Sequence, residues 1–286
     1  MDSVLEVKDL RKEYKEFTLD NISFNIAKGS IMGFIGQNGA GKSTTIKLIM
    51  NVINKTSGEI KILGVDNNEE VKKVKNKVGF VYDENYYYED LTLIDMKRIV
   101  SMFYKEWDNN IFNKYLKIFN LNPQKKIKEL SKGMKMKYGL ALALSHNAEL
   151  IIMDEPTSGL DPVFRDELLE ILSYLRLEKK ISIFFSTHIT TDIEKIADSI
   201  TFIDKGKLIF SLPKDEIFRR YALVGGKSEL LNADSEKLFL GIKKNILGFE
   251  ALTNNILKVK ELMGNSLEIR KPSLEEIMLY TIREEI

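Results

Sequence analysis

A glycine-rich segment, Gly36-Gln37-Asn38-Gly39-Ala40-Gly41-Lys42-Ser43, has the spacing Gly-x-x-x-x-Gly-Lys-Ser of a phosphate-binding loop. Glycines let backbone N–H groups turn inward around a phosphate, where a side chain would block its approach. We expect Lys42 to reach the β- and γ-phosphates as a point charge and the Ser43 hydroxyl to bind Mg²⁺. We also expect Thr44 to contact a phosphate. The pattern arises by chance in about one chain in a hundred of this length, so a nucleotide site is favoured.

A pair of acidic residues, Asp154 and Glu155, follows the apolar run Leu150–Met153. A carboxylate at the end of a buried strand can hold Mg²⁺ through water, and this role is predicted for Asp154. Glu155 is placed to polarise a water for in-line attack on the γ-phosphate. The alternative is that both residues merely end a strand with polar groups. Downstream of a phosphate-binding loop, the catalytic interpretation is favoured.

Three further segments accompany these two, and their order is informative. Leu130–Met134 reads Leu-Ser-Lys-Gly-Met, Ser158–Asp161 reads Ser-Gly-Leu-Asp, and His188 ends the run Ile183–Thr187. In order and spacing the chain resembles the ATP-binding subunits of ATP-binding cassette (ABC) transporters, over roughly residues 4–206. Because several independent motifs carry it, this resemblance is specific.

The resemblance implies roles for residues far from the glycine-rich loop. Ser131 and Gly133 match the positions of the signature loop that bind the γ-phosphate held by a second subunit. His188 resembles the switch histidine that contacts the γ-phosphate. Tyr14 matches the aromatic residue that stacks on adenine, with Phe17 as a rival and ordinary surface packing as the alternative. His146 lacks such a context and is expected to be structural.

Two departures from the family pattern stand out. Lys132 and Met134 occupy signature positions where glycine and glutamine are usual, although the phosphate-contacting positions survive. Asp83 stands where the family commonly has a glutamine that senses Mg²⁺ and water. A carboxylate can also bind Mg²⁺, so Asp83 is predicted as a metal ligand, with Glu84 as the other candidate carboxylate. A simple turn residue is the alternative for Asp83.

The segments that must position these residues show strand patterns and helix patterns in alternation. Apolar runs at Ile31–Ile35 and Leu150–Met153 are typical of strands buried on both faces. The β-α-β order predicts a mostly parallel sheet. The expected fold is α/β: a P-loop NTPase core with an N-terminal antiparallel β subdomain, an inserted helical subdomain at about 85–145, and a small C-terminal α+β extension. The expected domains are an ATP-binding domain at 1–211 and an accessory domain at 212–286.

Composition restricts the class of protein. The 286 residues are 44% hydrophobic and 30% charged, with a net charge of +1 and no cysteine. The charge balance disfavours a nucleic-acid partner, and the absence of cysteine excludes disulfides and suits the cytosol. No apolar run reaches the roughly 18 residues needed to span a bilayer.

The function expected from the resemblance is that of an ATP-hydrolysing subunit using ATP and Mg²⁺. A second copy or a paralogous ATPase would pair with it head to tail around two ATP. A separate integral membrane permease would hold it on the inner face of the cell membrane, for export. The alternatives are a non-transport ABC ATPase and a regulatory nucleotide-binding subunit.

Overall fold

The computed structural model describes residues 2–81, 87–264 and 267–282. Contacts divide the chain into two compact units, Met1–Ser211 and Leu212–Ile286. Each unit has its own sheets and helices.

The first unit begins with an antiparallel sheet. Its strands are β1 (Ser3–Glu13), β2 (Thr18–Ala27), β4 (Ser57–Ile62) and β5 (Val65–Asp66), in the order β2-β1-β4-β5. Buried and exposed residues alternate along β2 and β4, as expected for a sheet with one face on the core.

A second sheet of the same unit carries the residues of interest at its strand ends. Its strands are β3 (Ile31–Ile35), β6 (Val78–Val81), β7 (Leu150–Asp154), β8 (Ser182–Thr187), β9 (Ser199–Asp204) and β10 (Lys207–Pro213), in the order β10-β9-β3-β8-β7-β6. The pairs β3–β8, β3–β9, β6–β7 and β7–β8 are parallel. The mostly parallel sheet that the sequence predicts is confirmed.

A shared apolar core joins the two sheets of the first unit. The rings of Phe24, Phe34 and Phe184 lie with centroids 5.2–5.9 Å apart, and all three are buried. Aromatic groups of this size supply a large part of core burial. The antiparallel sheet therefore packs directly against the sheet that holds the site.

Helices complete the first unit. They are α1 (Lys42–Ile49), α2 (Val71–Lys77), α3 (Leu93–Ser101), α4 (Asn109–Ile118), α5 (Lys132–Leu144), α6 (Pro162–Lys179) and α7 (Thr190–Ile196). The helices α3, α4 and α5 lie between β6 and β7 in the chain and form the helical insertion that the sequence predicts. The lysine run Lys72–Lys77 lies on α2, where Val74 is the buried residue.

The second unit is a small α+β structure. Its strands β11 (Ala222–Gly226), β12 (Gly241–Asn245), β13 (Gly248–Thr253) and β14 (Glu268–Arg270) form an antiparallel sheet in the order β12-β13-β11-β14. The helices are α8 (Lys214–Arg220), α9 (Ala233–Glu236), α10 (Ile256–Met263) and α11 (Leu274–Ile282). Val224, Phe249, Ala251, Val259 and Met263 form a core inside this unit.

Among the residues that the structure describes, none of the helices is both long and apolar enough to span a lipid bilayer.

Candidate functional site

The glycine-rich loop connects β3 to α1, so a buried strand ends where a helix begins. Gly41 is the N-cap of α1 with φ 109°, and no side chain caps the helix. The first N–H groups of an α-helix have no partner within the helix. These groups and the positive end of the helix dipole are therefore available to an anion at the loop.

Hydrogen bonds with other residues of the same chain hold the loop in place. Gly206 N donates to the Ala40 carbonyl oxygen at 3.0 Å, and the Thr45 hydroxyl donates to the Gly41 carbonyl oxygen at 2.9 Å. Gln37, Asn38, Gly39 and Ser43 are exposed, while Thr44 is half-buried. The predicted phosphate-binding residues thus lie together on a supported loop whose outer side is open.

Lys42 lies inward from the loop with only 6% of its surface exposed. Its ammonium group donates to the carbonyl oxygens of Gly36 at 2.8 Å and Gln37 at 3.3 Å. It also forms an ion pair with Glu155, Nζ to Oε1, at 3.2 Å. A buried charge needs such partners to offset its desolvation. Lys42 is therefore fully engaged by the protein's own groups in this state.

Glu155 brings the predicted catalytic residues to one place. Besides its contact with Lys42, its Oε2 lies 2.9 Å from His188 Nδ1 and accepts from the His188 backbone N–H at 3.3 Å. Glu155 has φ 47°, in the left-handed region that a residue with a side chain adopts at a cost of about 1–2 kcal/mol. Its N–H donates to the Ser186 carbonyl oxygen at 3.0 Å, which helps to hold this conformation.

Asp154, the last residue of β7, faces the neighbouring strand β8. Its Oδ1 accepts a hydrogen bond of 2.5 Å from the Ser186 hydroxyl. The same hydroxyl accepts from the Glu155 N–H at 3.2 Å. Ser186 therefore orients both acidic residues, a role that the sequence reading missed. The signal for it was its position at a strand end two residues before His188.

The donor set suits Mg²⁺ bound together with phosphate oxygens and water. Ser43 offers a hydroxyl and Asp154 a carboxylate, and Mg²⁺ prefers oxygen donors but usually keeps several waters. In the described ranges, no group of three or more His, Cys, Asp or Glu side chains could hold a metal alone. Phosphate oxygens of a nucleotide and water are donors of the kind that would complete such a set. Asp83, the third predicted ligand, lies outside the described residues, as does Glu84.

Ser131 and Gly133 form a separate group at the start of α5. Ser131 caps α5, and its hydroxyl accepts from Met134 N at 3.3 Å. A Cβ on Gly133 would lie 2.7 Å from the Phe164 ring, so only glycine leaves room for this packing. Within the described part of the chain, no hydrogen bond or ion pair joins Ser131 or Gly133 to the loop that holds Lys42.

The two aromatic candidates for adenine differ in their surroundings. Phe17 is half-buried, and its ring lies 3.0 Å from where a Cβ on Gly41 would be. Tyr14 is 47% exposed, with its ring centroid 6.5 Å from that of Phe17. Phe17 thus packs against the loop, whereas Tyr14 is about half exposed and has the Lys12 ammonium group 5.1 Å from its ring centroid.

His146 is embedded rather than placed at the site. Its ring is buried, stacks on Tyr104 with centroids 3.8 Å apart, and lies with Nδ1 3.1 Å from the Asn76 carbonyl oxygen. Burial lowers its pKa. These contacts support the structural role expected for it.

Comparison with known proteins gives a consistent assignment. A family profile described as ABC transporter matches residues 19–158. The bacitracin transport ATP-binding protein BcrA of Bacillus licheniformis is 30% identical over 100% of this chain and 95% of its own length. The lantibiotic transport ATP-binding protein SrtF of Streptococcus pyogenes is 36% identical over 74% of this chain and 92% of its own.

A solved structure agrees with these relatives. The structure of an ATP-binding subunit of an ABC transporter superposes with a TM-score of 0.69, at 31% identity, over 76% of this chain and 92% of that one. The family model, the full-length relative and the site geometry lead to the same assignment. This chain belongs to the ABC transporter family, as one of its ATP-binding and ATP-hydrolysing subunits.

Proposed function

We propose that two copies of this chain, or this chain and a paralogous ATPase, close head to tail around two ATP. The observation that carries the proposal is that, among the described residues, no hydrogen bond or ion pair joins Ser131 or Gly133 to the Lys42 loop. Both groups have the chemistry to bind phosphate, because each lies at the start of a helix. The start of α1 has no side-chain cap, and the start of α5 is capped by the Ser131 hydroxyl. A second molecule would bring the two groups together on one nucleotide.

In this proposal the residues of one chain bind most of the nucleotide. Tyr14 stacks on adenine, the N–H groups of Gly36–Thr44 surround the phosphates, and Lys42 contacts the β- and γ-phosphates. Ser43 and Asp154 hold Mg²⁺, which would neutralise charge on the phosphate oxygens.

Binding ATP requires Lys42 to exchange partners. Its ammonium group is paired with Glu155 in the present structure, and a γ-phosphate is the more highly charged anion. Once phosphate replaces Glu155 at Lys42, that carboxylate is released to polarise a water, while His188 contacts the γ-phosphate. The Lys42–Glu155 pair thus keeps the site charge-balanced before ATP enters.

We propose that the ATPase drives a separate membrane permease and is peripheral to the inner face of the cell membrane through it. BcrA and SrtF are named for transport of bacitracin and of a lantibiotic. Export of a compound of the same kind is the activity proposed here. We further propose that Leu212–Ile286 is an accessory domain.

The catalytic part is tested by Glu155→Gln in the full chain. We expect ATP hydrolysis to fall at least about 100-fold, since removal of a general base typically costs 10²–10⁴, while ATP still binds. Equal hydrolysis by wild type and variant would show that Glu155 is not the base.

The two-copy part is tested in the Glu155→Gln background, by light scattering after size-exclusion chromatography with ATP. We expect ATP to induce a dimer and Ser131→Ala to weaken it about tenfold. Thr92→Ala is the matched control, because Thr92 caps α3 in the same way but has no predicted nucleotide contact. A Ser131→Ala dimer as stable as that of the control would refute the role of Ser131.

A further inference from the structure

Two helices begin immediately beyond the paired residues Glu155 and His188. From Glu155 the chain passes through residues 156–161 into α6, and from His188 it reaches α7 within two residues. The strands that carry the pair are neighbours, since Asp154 is in register with Ser186. The starts of α6 and α7 are therefore the first rigid structure on the far side of the pair.

Arg165, in the first turn of α6, connects the two helices. Its Nε donates to Asp192 Oδ1 at 2.6 Å, and its Nη2 lies 2.6 Å from the same oxygen. Nη2 also donates to the Thr191 hydroxyl at 2.8 Å. One guanidinium thus holds two consecutive residues of α7, and the rigid, planar group suits such a fixed geometry.

Asp192 is unusually dependent on this contact. Its side chain is 3% exposed, and its other oxygen, Oδ2, is buried with no hydrogen-bond partner among the described residues. A buried carboxylate is costly unless a positive charge compensates it. Arg165 supplies that charge, so the α6–α7 connection is held by a strong interaction.

We propose that Arg165 and Asp192 are positioning residues for ATP hydrolysis, an inference that rests on the proposed roles of Glu155 and His188. Two contacts join the segment from Glu155 to α6 with the segment from His188 to α7. The Glu155–His188 contact joins them at the strand ends, and the Arg165–Asp192 contact joins them at the starts of the helices. The second connection fixes where the imidazole lies relative to the carboxylate.

This connection matters most after ATP has entered. In the present structure the His188 ring is half-exposed and contacts Glu155. When Glu155 turns to the attacking water, that contact is weakened, and the ring's position depends on α7. Arg165 then keeps the ring in place. Because small displacements of catalytic groups cost rate rather than affinity, the effect falls on kcat.

The test compares Arg165→Met, Asp192→Asn and the double variant in the full chain. We expect each to lower kcat about tenfold or more while the KM for ATP stays within about twofold of wild type. The double variant carries no unpaired buried charge, which guards against simple unfolding. It should be no slower than the single variants, because all three remove the same connection.

The same helix provides a matched control. Arg176 of α6 pairs with Asp198 through Nη2 and Oδ1 at 2.5 Å, eleven residues further along, or about 16 Å from Arg165. Arg176→Met removes an ion pair from α6 without touching the starts of α6 and α7. We expect it to leave kcat unchanged.

A second readout does not depend on activity. The chain has two histidines, His146 and His188, so a spectrum of histidine ring resonances contains one reference and one probe. In Arg165→Met we expect the His188 resonances to shift or broaden and those of His146 to stay in place.

Two results would overturn the inference: a normal kcat in the double variant, or a lowered kcat shared by Arg176→Met with unmoved His188 resonances. If Glu155→Gln is inactive in the same assays, either of these two results rejects the positioning role of Arg165 and Asp192 but leaves the proposed function intact. If Glu155→Gln is fully active, the proposed function fails first.

Discussion

At Gly36, an added Cβ would lie 2.5 Å from the carbonyl oxygen of Ile203 and 3.0 Å from the Cβ of Ala40. A backbone oxygen cannot move aside as a flexible side chain can, so the loop itself would have to shift. At Gly39, by contrast, a Cβ would meet nothing within 4 Å, but the φ of +82° is unfavourable for a residue with a side chain. Two glycines of one motif are therefore required for different reasons.

These reasons predict different outcomes for alanine. Gly39→Ala should cost about 1–2 kcal/mol of stability from backbone strain and leave ATP binding within a few-fold. Gly36→Ala should displace the loop and weaken ATP binding at least about tenfold. Chemical denaturation and titration with a fluorescent ATP analogue measure both quantities. Similar ATP affinities in the two variants would contradict the steric argument.

Among the elements, the strands with continuous apolar runs were the easiest to predict. β3, β8 and Leu150–Met153 of β7 are buried, and an apolar run between glycines or polar residues has few other interpretations. The start of α11 also follows from a short stretch of sequence, because Ser273 and Glu276 have the spacing of a capping box. In the structure, Ser273 N donates to Glu276 Oε2 at 2.8 Å.

Glu276 also has a partner outside that box, six residues earlier in the chain. The hydrogen bond from Arg270 on β14, at 2.6 Å, is the main cause that lowers the pKa of Glu276 to about 2. Because this folded-state pKa lies below the unfolded value, the stabilisation is present above pH 4.5 and is lost as pH falls towards 2. Arg270 is 50% exposed, so screening limits the contribution to about 1 kcal/mol.

We therefore expect Glu276→Gln to reduce the stability of the Leu212–Ile286 unit by about 1 kcal/mol at pH 7, with the difference shrinking by pH 3. Glu275→Gln is the control, since Glu275 is the exposed neighbour. Native-state hydrogen exchange of the β13 amides reports on this unit, which the single tryptophan, Trp107, does not. A difference that persists undiminished at pH 3 would rule out the ion pair as its source.

In the molecule as a whole, the predicted site residues precede Leu212, and the second unit has its own core. β10 crosses the boundary, since it runs from Lys207 to Pro213 at the edge of the mostly parallel sheet. A chain that ends before β10 would expose β9 as a new edge, which favours aggregation.

A fragment ending at Pro213 is accordingly expected to fold and to bind ATP within about twofold of the full chain, because a compact unit with its own core is independent by default. A fragment ending at Asp204 should aggregate. Static light scattering and ATP titration distinguish the two. Loss of ATP binding in the longer fragment would assign Leu212–Ile286 a part in the nucleotide site.

The sequence by itself determined the nucleotide loop, the main strands and the family, because each depends on residues that are contiguous or regularly spaced. A phosphate-binding loop works through consecutive backbone groups, and its spacing is visible in the chain. Only the tertiary structure decided that Lys42, Glu155 and His188 meet, and that Arg165 reaches Asp192. Those contacts depend on which parallel strands are neighbours and how their following helices pack, and no local pattern encodes that arrangement.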